Sequence, residues 1–143
     1  MYVLKTRSDF DSAHFLKGYE GKCANIHGHH WLVEIQIRGE EVKSEGPHRG
    51  MLVDFSDLKE DLREETSRMD HALLYEAGSL KEKTLEALRE EGFLLIEFPF
   101  RPTAENFAKH FYDYMTSKGY DVARAEVYET LDNCAIYEGE NHD

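Results

Sequence analysis

Cysteine is scarce in this chain of 143 residues, which has only Cys23 and Cys134. Two thiols do not make the disulfide framework of a small secreted scaffold, so a reducing, cytoplasmic setting is expected. Long apolar runs are also missing. None approaches the roughly 20 residues that span a bilayer, and residues 1–7 lack the apolar core of a secretory signal, so no membrane partner is expected. Basic residues are outnumbered, 17 Lys+Arg against 29 Asp+Glu, which leaves a formal charge of -12. That field opposes wrapping by a nucleic-acid backbone, and an anionic ligand would need a local basic patch. Lys17 and Lys22, which flank the most unusual stretch of the chain, could supply one. Repeats and low-complexity segments are absent.

What is present fits one folded domain over residues 1–143, with 41% hydrophobic and 12% aromatic residues. The unusual stretch is Cys23-Ala-Asn-Ile-His27-Gly-His29-His30, with three histidines and a cysteine in eight residues. A strand follows from the alternation of Trp31, Val33, Ile35 and Ile37 with Glu34, Gln36 and Arg38. His27 and His29 share the parity of the apolar set and therefore face inward, whereas His30 points the other way. Two inward imidazoles begin a metal site, and His14 in Phe10-Asp-Ser-Ala-His14 is the candidate third ligand. Three protein ligands leave zinc an open position for chemistry. Cys23 could close the site as a fourth ligand or stand beside it as a reactive thiol, and the spacing is compatible with both.

Along the chain, residues 2–15 read as a strand and residues 17–25 as a loop. Residues 27–38 form a second, antiparallel strand, followed by a polar connection over 39–50 and an extended piece at 51–53. Asp54 is placed to N-cap a helix carrying Phe55, Leu58, Leu62 and Met69 at helical spacing. Ser79 is placed to cap a second helix, through Leu80, Leu85 and Leu88, that Gly92 stops. A short apolar run spans 93–98. Thr103 caps a third helix with Phe107, Phe111 and Tyr114 on one face. Two last strands, 122–130 and 134–138, flank a turn at Leu131-Asp132-Asn133. The order predicts an α+β architecture, a four-stranded antiparallel sheet with helices on one face. Its outer face carries apolar residues such as Leu32, so association through open sheets is expected.

Three further places carry chemistry. Asp70-His71 closes the first helix, and a carboxylate beside an imidazole can serve as a proton relay if a loop turns the two toward each other. Glu129, in a strand near a hairpin end, can accept two parallel hydrogen bonds from an amino-pyrimidine edge. Thr103 and Glu105 read first as helix-terminus residues.

Taken together, Phe10-x-x-Ala13-His14, Cys23-x-x-x-His27-Gly-His29, Gly50-Met-x-Val53-Asp54-Phe55, Asp70-His71, Pro102-Thr103-x-Glu105-Asn106 and Val127-x-Glu129-Thr130 resemble the 6-pyruvoyl-tetrahydropterin synthase/6-carboxy-tetrahydropterin synthase family. The likeness runs through nearly the whole chain. It implies the tunnelling fold, in which sheets of several subunits join into a barrel, as a homo-oligomer (trimer or hexamer) with shared active sites. It implies zinc on His14, His27 and His29, with Cys23 as a base, Asp70 and His71 as a relay, and Glu129, with Thr103 and Glu105, holding the pterin. The three residues between Cys23 and His27 resemble the bacterial 6-carboxy-tetrahydropterin synthases. Those enzymes act on 7,8-dihydroneopterin triphosphate, lose triphosphate and acetaldehyde, and feed queuosine and 7-deazaguanine synthesis. A pyruvoyl-forming relative and a non-enzymatic zinc-stabilised binding protein are the alternatives. Residues 78–98 look longer than the family core requires.

Overall fold

A computed structural model describes residues 1–140. Its frame is a long antiparallel pair, β1 (Tyr2–His14) and β2 (His27–Gly39), in register from Tyr2↔Gly39 to His14↔His27. After β2 come α1 (Phe55–Met69), β3 (Leu73–Glu76), α2 (Glu82–Glu90), β4 (Leu95–Phe98), α3 (Ala104–Ser117), β5 (Val122–Tyr128) and β6 (Cys134–Tyr137). The architecture is α+β, as expected. The four antiparallel strands lie side by side as β1-β2-β5-β6, and the sheet continues beyond them. β3 pairs parallel to the end of β1 and β4 pairs parallel to β3, giving the six-stranded order β4-β3-β1-β2-β5-β6.

The periodicity of β2 accounts for the core. Trp31, Val33, Ile35 and Ile37 are buried beneath α1 and α3, whose Leu58, Leu62, Met69, Phe107, Phe111 and Met115 meet them in one cluster. Asp54 caps α1 by accepting from the Ser56 N–H at 2.8 Å, and Thr103 caps α3 by accepting from the Asn106 N–H at 3.2 Å. Phe55 does not join the core but stays 58% exposed, because it sits on the solvent side of the first turn of α1.

Three expectations need correction. Ser79 is not the cap of α2; Lys81 occupies that position, and the Ser79 hydroxyl instead donates to the Glu76 carbonyl at 2.6 Å in a turn after β3. The apolar run over 93–98 is more than a connection, since its last four residues, Leu95–Phe98, form β4 and pair with β3. A small second cluster of Phe15, Tyr75 and Leu85, with Leu73, Leu80 and Leu95 against it, holds this β3-α2-β4 unit to the sheet. Residues 51–53 bend rather than extend. Sequence periodicity misses four-residue parallel strands because they lack room for an alternating pattern.

The outer sheet face is more charged than Leu32 suggests. Glu34 and Glu126 face each other across β2 and β5, both under 10% exposed. Arg7 Nε donates to Glu34 at 3.1 Å, and Arg124 Nη2 to Glu126 at 2.6 Å. Lone carboxylates would not be buried there at tolerable cost, and these cations make the burial possible.

On the other face, Glu65 of α1 is 4% exposed and accepts two bonds from Arg68, at 2.6 and 3.0 Å, and one from His110. Burial pushes its carboxyl up, but the bonds and charges of His110 and Arg68 outweigh burial and hold it at about 2. A depressed carboxyl stabilises the fold above its unfolded pKa of 4.5, and that contribution is lost as pH falls toward 2. Denaturant titrations should therefore show stability dropping over this window. Glu65→Gln should be less stable at pH 7 and lack this contribution to the acid limb. An acid limb of unchanged depth in Glu65→Gln would assign the effect to other groups.

Candidate metal centre and its clefts

The register of β1 and β2 sets the centre. His14 and His27 are directly paired at the end of the hairpin, and His29 lies two residues further along the same face. One nitrogen from each ring can be chosen so that all three lie within 4.8 Å of one another. The Nδ1 of His14 is 2.7 Å from the Pro102 carbonyl, and that of His27 is 2.7 Å from the Asn25 carbonyl. A carbonyl only accepts, so each Nδ1 is the donor, and each neutral ring keeps its lone pair on Nε2. Those two Nε2 atoms are 3.1 Å apart.

Burial lowers the His14 pKa to about 4; the Pro102 bond opposes this, and the charges of His27 and His29 add to it. Burial also lowers that of His29, against the opposing charge of Glu129. Neutral imidazoles with lone pairs converging repel each other unless a cation sits between them. The donor set therefore fits a metal such as zinc, whose N–Zn bonds of about 2.0–2.1 Å suit ligand atoms this close. Trp31, fully buried, floors the cluster with its ring centroid 5.0 Å from His14 and 5.3 Å from His29.

The other predicted residues divide around this centre. Glu129 stands beside it, with Oε1 3.5 Å from Nε2 of both His14 and His29. Cys23, half-buried in a 3-10 turn over Lys22–Ala24, is not part of the cluster that meets metal-ligand spacing. The closed four-ligand site weighed from the sequence thus has no support in this geometry.

Asp70 ends α1 and His71 takes a left-handed conformation, φ 58°. That turn brings the imidazole Nδ1 to 2.8 Å from Asp70 Oδ2, a contact helical neighbours could not make. A non-glycine residue held at positive φ is a candidate for stored strain at a functional position. Asp70 Oδ1 accepts from the Asp11 N–H at 2.9 Å, the leading reason its carboxyl is held low. Thr103 has its hydroxyl occupied as the α3 cap, and Glu105 is exposed beside it.

Two clefts flank the Gly28-His29-His30 segment. One, of about 670 Å³, has an apolar wall of Ile26, Leu88, Phe93 and Leu94 and includes His71. The other, of about 630 Å³, includes Tyr128, Glu129 and Thr130. Glu129 and Glu105 also share a smaller cleft of about 380 Å³. His30 lies on the opposite side of β2 from the cluster, with Nδ1 2.8 Å from Asp11 and Nε2 3.2 Å from Asp9. The hydrogen bond to Asp11 is the main reason its pKa is raised. Sequence reasoning missed Pro102 and Asn25 as orienting carbonyls, because backbone acceptors leave no side-chain signature. Trp31 was legible by its parity with His27 and His29.

A family profile described as "6-pyruvoyl tetrahydropterin synthase" matches residues 3–140. A 6-carboxy-5,6,7,8-tetrahydropterin synthase of Haemophilus influenzae is 35% identical over 115 residues, covering 79% of this chain and 81% of that one. One from Rickettsia bellii is 31% identical over 137 residues, covering 91% and 94%. Among solved structures, an uncharacterized protein of Wolinella succinogenes superposes with a TM-score of 0.80 at 19% identity, over 97% of this chain and 98% of that one. The Caenorhabditis elegans 6-pyruvoyl tetrahydropterin synthase gives 0.68 at 22% identity, over 97% and 96%.

Metal analysis after loading with zinc should find stoichiometric metal in the parent chain and in His30→Ala. His14→Ala, His27→Ala and His29→Ala should each lose it. Full zinc retention in any of these three would remove that residue from the centre.

Proposed function

This chain belongs to the 6-pyruvoyl tetrahydropterin synthase family, and from that premise we propose that it is a zinc-dependent 6-carboxy-5,6,7,8-tetrahydropterin synthase. The reaction takes 7,8-dihydroneopterin triphosphate and water to 6-carboxy-tetrahydropterin, acetaldehyde and triphosphate, a step toward queuosine and other 7-deazaguanines. The observation that carries this reading is the convergence of three imidazoles beside one carboxylate, His14, His27 and His29 with Glu129. The names of relatives at 31–35% identity favour the carboxy product. The family description and the nematode neighbour keep the pyruvoyl product as the second reading.

His14, His27 and His29 would hold the metal, which supplies a Lewis acid for side-chain oxygens and a sink for developing enolate charge. Glu129 would accept the 2-amino and N3–H donors of the pterin in one plane, placing the side chain toward the histidines. Cys23 would take a proton from the substrate side chain. His71, oriented by Asp70, would return or remove protons on the other face, with Glu105 and Thr103 completing the pterin pocket. A cytoplasmic homo-oligomer, trimer or hexamer, with sites shared between subunits is part of the same proposal. Among the described residues no helix is long and apolar enough to cross a membrane.

Incubation with dihydroneopterin triphosphate and identification of the products tests the reaction. The expected set is acetaldehyde, triphosphate and the carboxy-pterin, and a pyruvoyl product would replace this reading with the second one. Cys23→Ala should keep zinc, fold and pterin binding yet lose about 10²–10⁴-fold in turnover. Zinc and rate must be measured on one preparation, since metal-free protein would also be inactive. Full zinc with full rate would remove Cys23 as the base. Glu129→Ala should lose roughly 2–5 kcal/mol of pterin affinity with zinc retained, as seen by calorimetry. Unchanged affinity would send Glu129 back to solvent.

A further inference from the structure

The two carbonyls that orient the metal-facing rings belong to different segments. Asn25, behind His27, lies near the end of the loop over residues 16–26, and Pro102, behind His14, lies in the turn before α3. The same loop carries Cys23. One side chain joins the two segments, because Arg101 Nη2 donates to the Lys17 carbonyl at 2.6 Å. Resting on the function proposed above, we propose that Arg101 is a positioning residue of that reaction. Its guanidinium clamps the Cys23 loop to the segment that orients His14, and so fixes where the thiol stands relative to the three imidazoles.

The loop has little else to hold it. Leu16 and Cys23 are half-buried, and the other side chains over residues 16–26 are exposed. No apolar anchor ties the loop to the core, and a segment of that kind opens locally at small cost. Its own hydrogen bonds are internal. The Leu16 N–H donates to the Cys23 carbonyl at 2.9 Å, the Tyr19 N–H to the Leu16 carbonyl at 3.2 Å, and the Asn25 N–H to the Lys22 carbonyl at 3.0 Å. Asn25 Nδ2 adds a second bond to the Lys22 carbonyl at 3.1 Å. These bonds give the loop a shape but do not place it on the protein. Among the described residues, the Arg101 bond is the one hydrogen bond that links residues 16–25 to anything outside the β1–β2 hairpin.

The other end of the clamp is fixed. The Arg101 carbonyl accepts from the Thr103 N–H at 2.8 Å and from Asn106 Nδ2 at 2.9 Å, which ties its backbone to the start of α3. Pro102 is buried, and its ring locks φ, so its carbonyl is presented to His14 Nδ1 in one direction. From the guanidinium the path to the thiol is short. It runs to the Lys17 carbonyl, back one residue to Leu16, and across the Leu16 N–H to the Cys23 carbonyl. A charged donor makes a stronger bond to a carbonyl than a neutral one, and a guanidinium keeps its charge at any working pH. Among the described residues no carboxylate pairs with Arg101, so an ion pair does not compete for this donor.

The test reads the loop before any chemistry. In Arg101→Met, amide exchange at Leu16 and alkylation of Cys23 by iodoacetamide should each speed up about tenfold, the worth of one charge-assisted hydrogen bond. Cys134 on β6 should react at the parent's rate, and the denaturant midpoint and zinc stoichiometry should not move. Arg101→Lys, which keeps a charged donor without the planar fork, should recover part of the protection. With dihydroneopterin triphosphate, Arg101→Met should lower kcat about tenfold at little changed KM, because the base is misplaced while Glu129 still anchors the pterin. A merely structural role would instead lower the denaturant midpoint and expose both thiols alike. The proposal is overturned if Leu16 exchange and Cys23 alkylation keep the parent's rates in Arg101→Met, or if Cys134 accelerates equally. It is also overturned if Arg101→Lys restores nothing, or if kcat holds in Arg101→Met while the loop loosens. If the exchange and alkylation results hold but the parent chain turns over no pterin, Arg101 stands as the loop's anchor and the proposed reaction falls.

Discussion

The pairing of β1 with β2 is the constraint on which the rest depends. Thirteen consecutive pairs, from Tyr2↔Gly39 to His14↔His27, fix which side chains face α1 and α3 and which face out. A slip of one residue would turn Trp31, Val33 and Ile35 into solvent and take His27 and His29 with them. The hydrophobic energy of the core and the placement of the imidazoles are thus one decision. Core burial holds the register, and the register in turn brings His14 beside His27.

Electrostatics then make the centre usable. The rings would be ordinary histidines at a strand end, His14 buried and His27 and His29 partly so, if each nitrogen had its own partner. Instead the Pro102 and Asn25 carbonyls take one N–H each, and the remaining lone pairs are driven together at 3.1 Å. Burial lowers the His14 pKa to about 4, which leaves its Nε2 lone pair available near neutrality. This arrangement stores a demand for a cation at the mouth of two clefts. The Pro102 carbonyl belongs to the turn that leads into α3, so the Thr103 cap and the tautomer of His14 rest on the same short segment.

The added β3 and β4 strands change what surrounds the centre. By pairing with Ala13 and His14 at the end of β1, β3 anchors the segment that follows His71. The His71 N–H donates to the Asp11 carbonyl, which pins the left-handed turn next to the hairpin. The longer segment over residues 78–98 thereby becomes a wall of the larger cleft, through Leu88, Phe93 and Leu94. Along the same edge of β1, before β3 joins it at Ala13, α1 brings the Lys59 ammonium to the Arg7 carbonyl, with Arg63 lining the same cleft as Lys59 and Arg7.

Much of this was legible in the chain itself. Alternation located β1 and β2, helical spacing located α1 and α3, and parity put His27 and His29 inward and His30 outward, because side-chain direction follows backbone period. The short strands were not legible, since four residues carry too little pattern to separate strand from loop. Ser79 misled for a related reason, as its hydroxyl serves equally well in a turn. Nor could sequence choose between Cys23 as a fourth ligand and Cys23 as a reactive thiol beside the metal, which depends on distance. What the sequence by itself determined was the set of groups and the face each would take, because those follow from local periodicity. Only the tertiary structure decided which groups meet, namely Glu129 with the histidines, Asp70 with His71, and the Arg7 carbonyl with Lys59. Each of these meetings depends on a turn or a long-range pairing whose geometry no local pattern encodes.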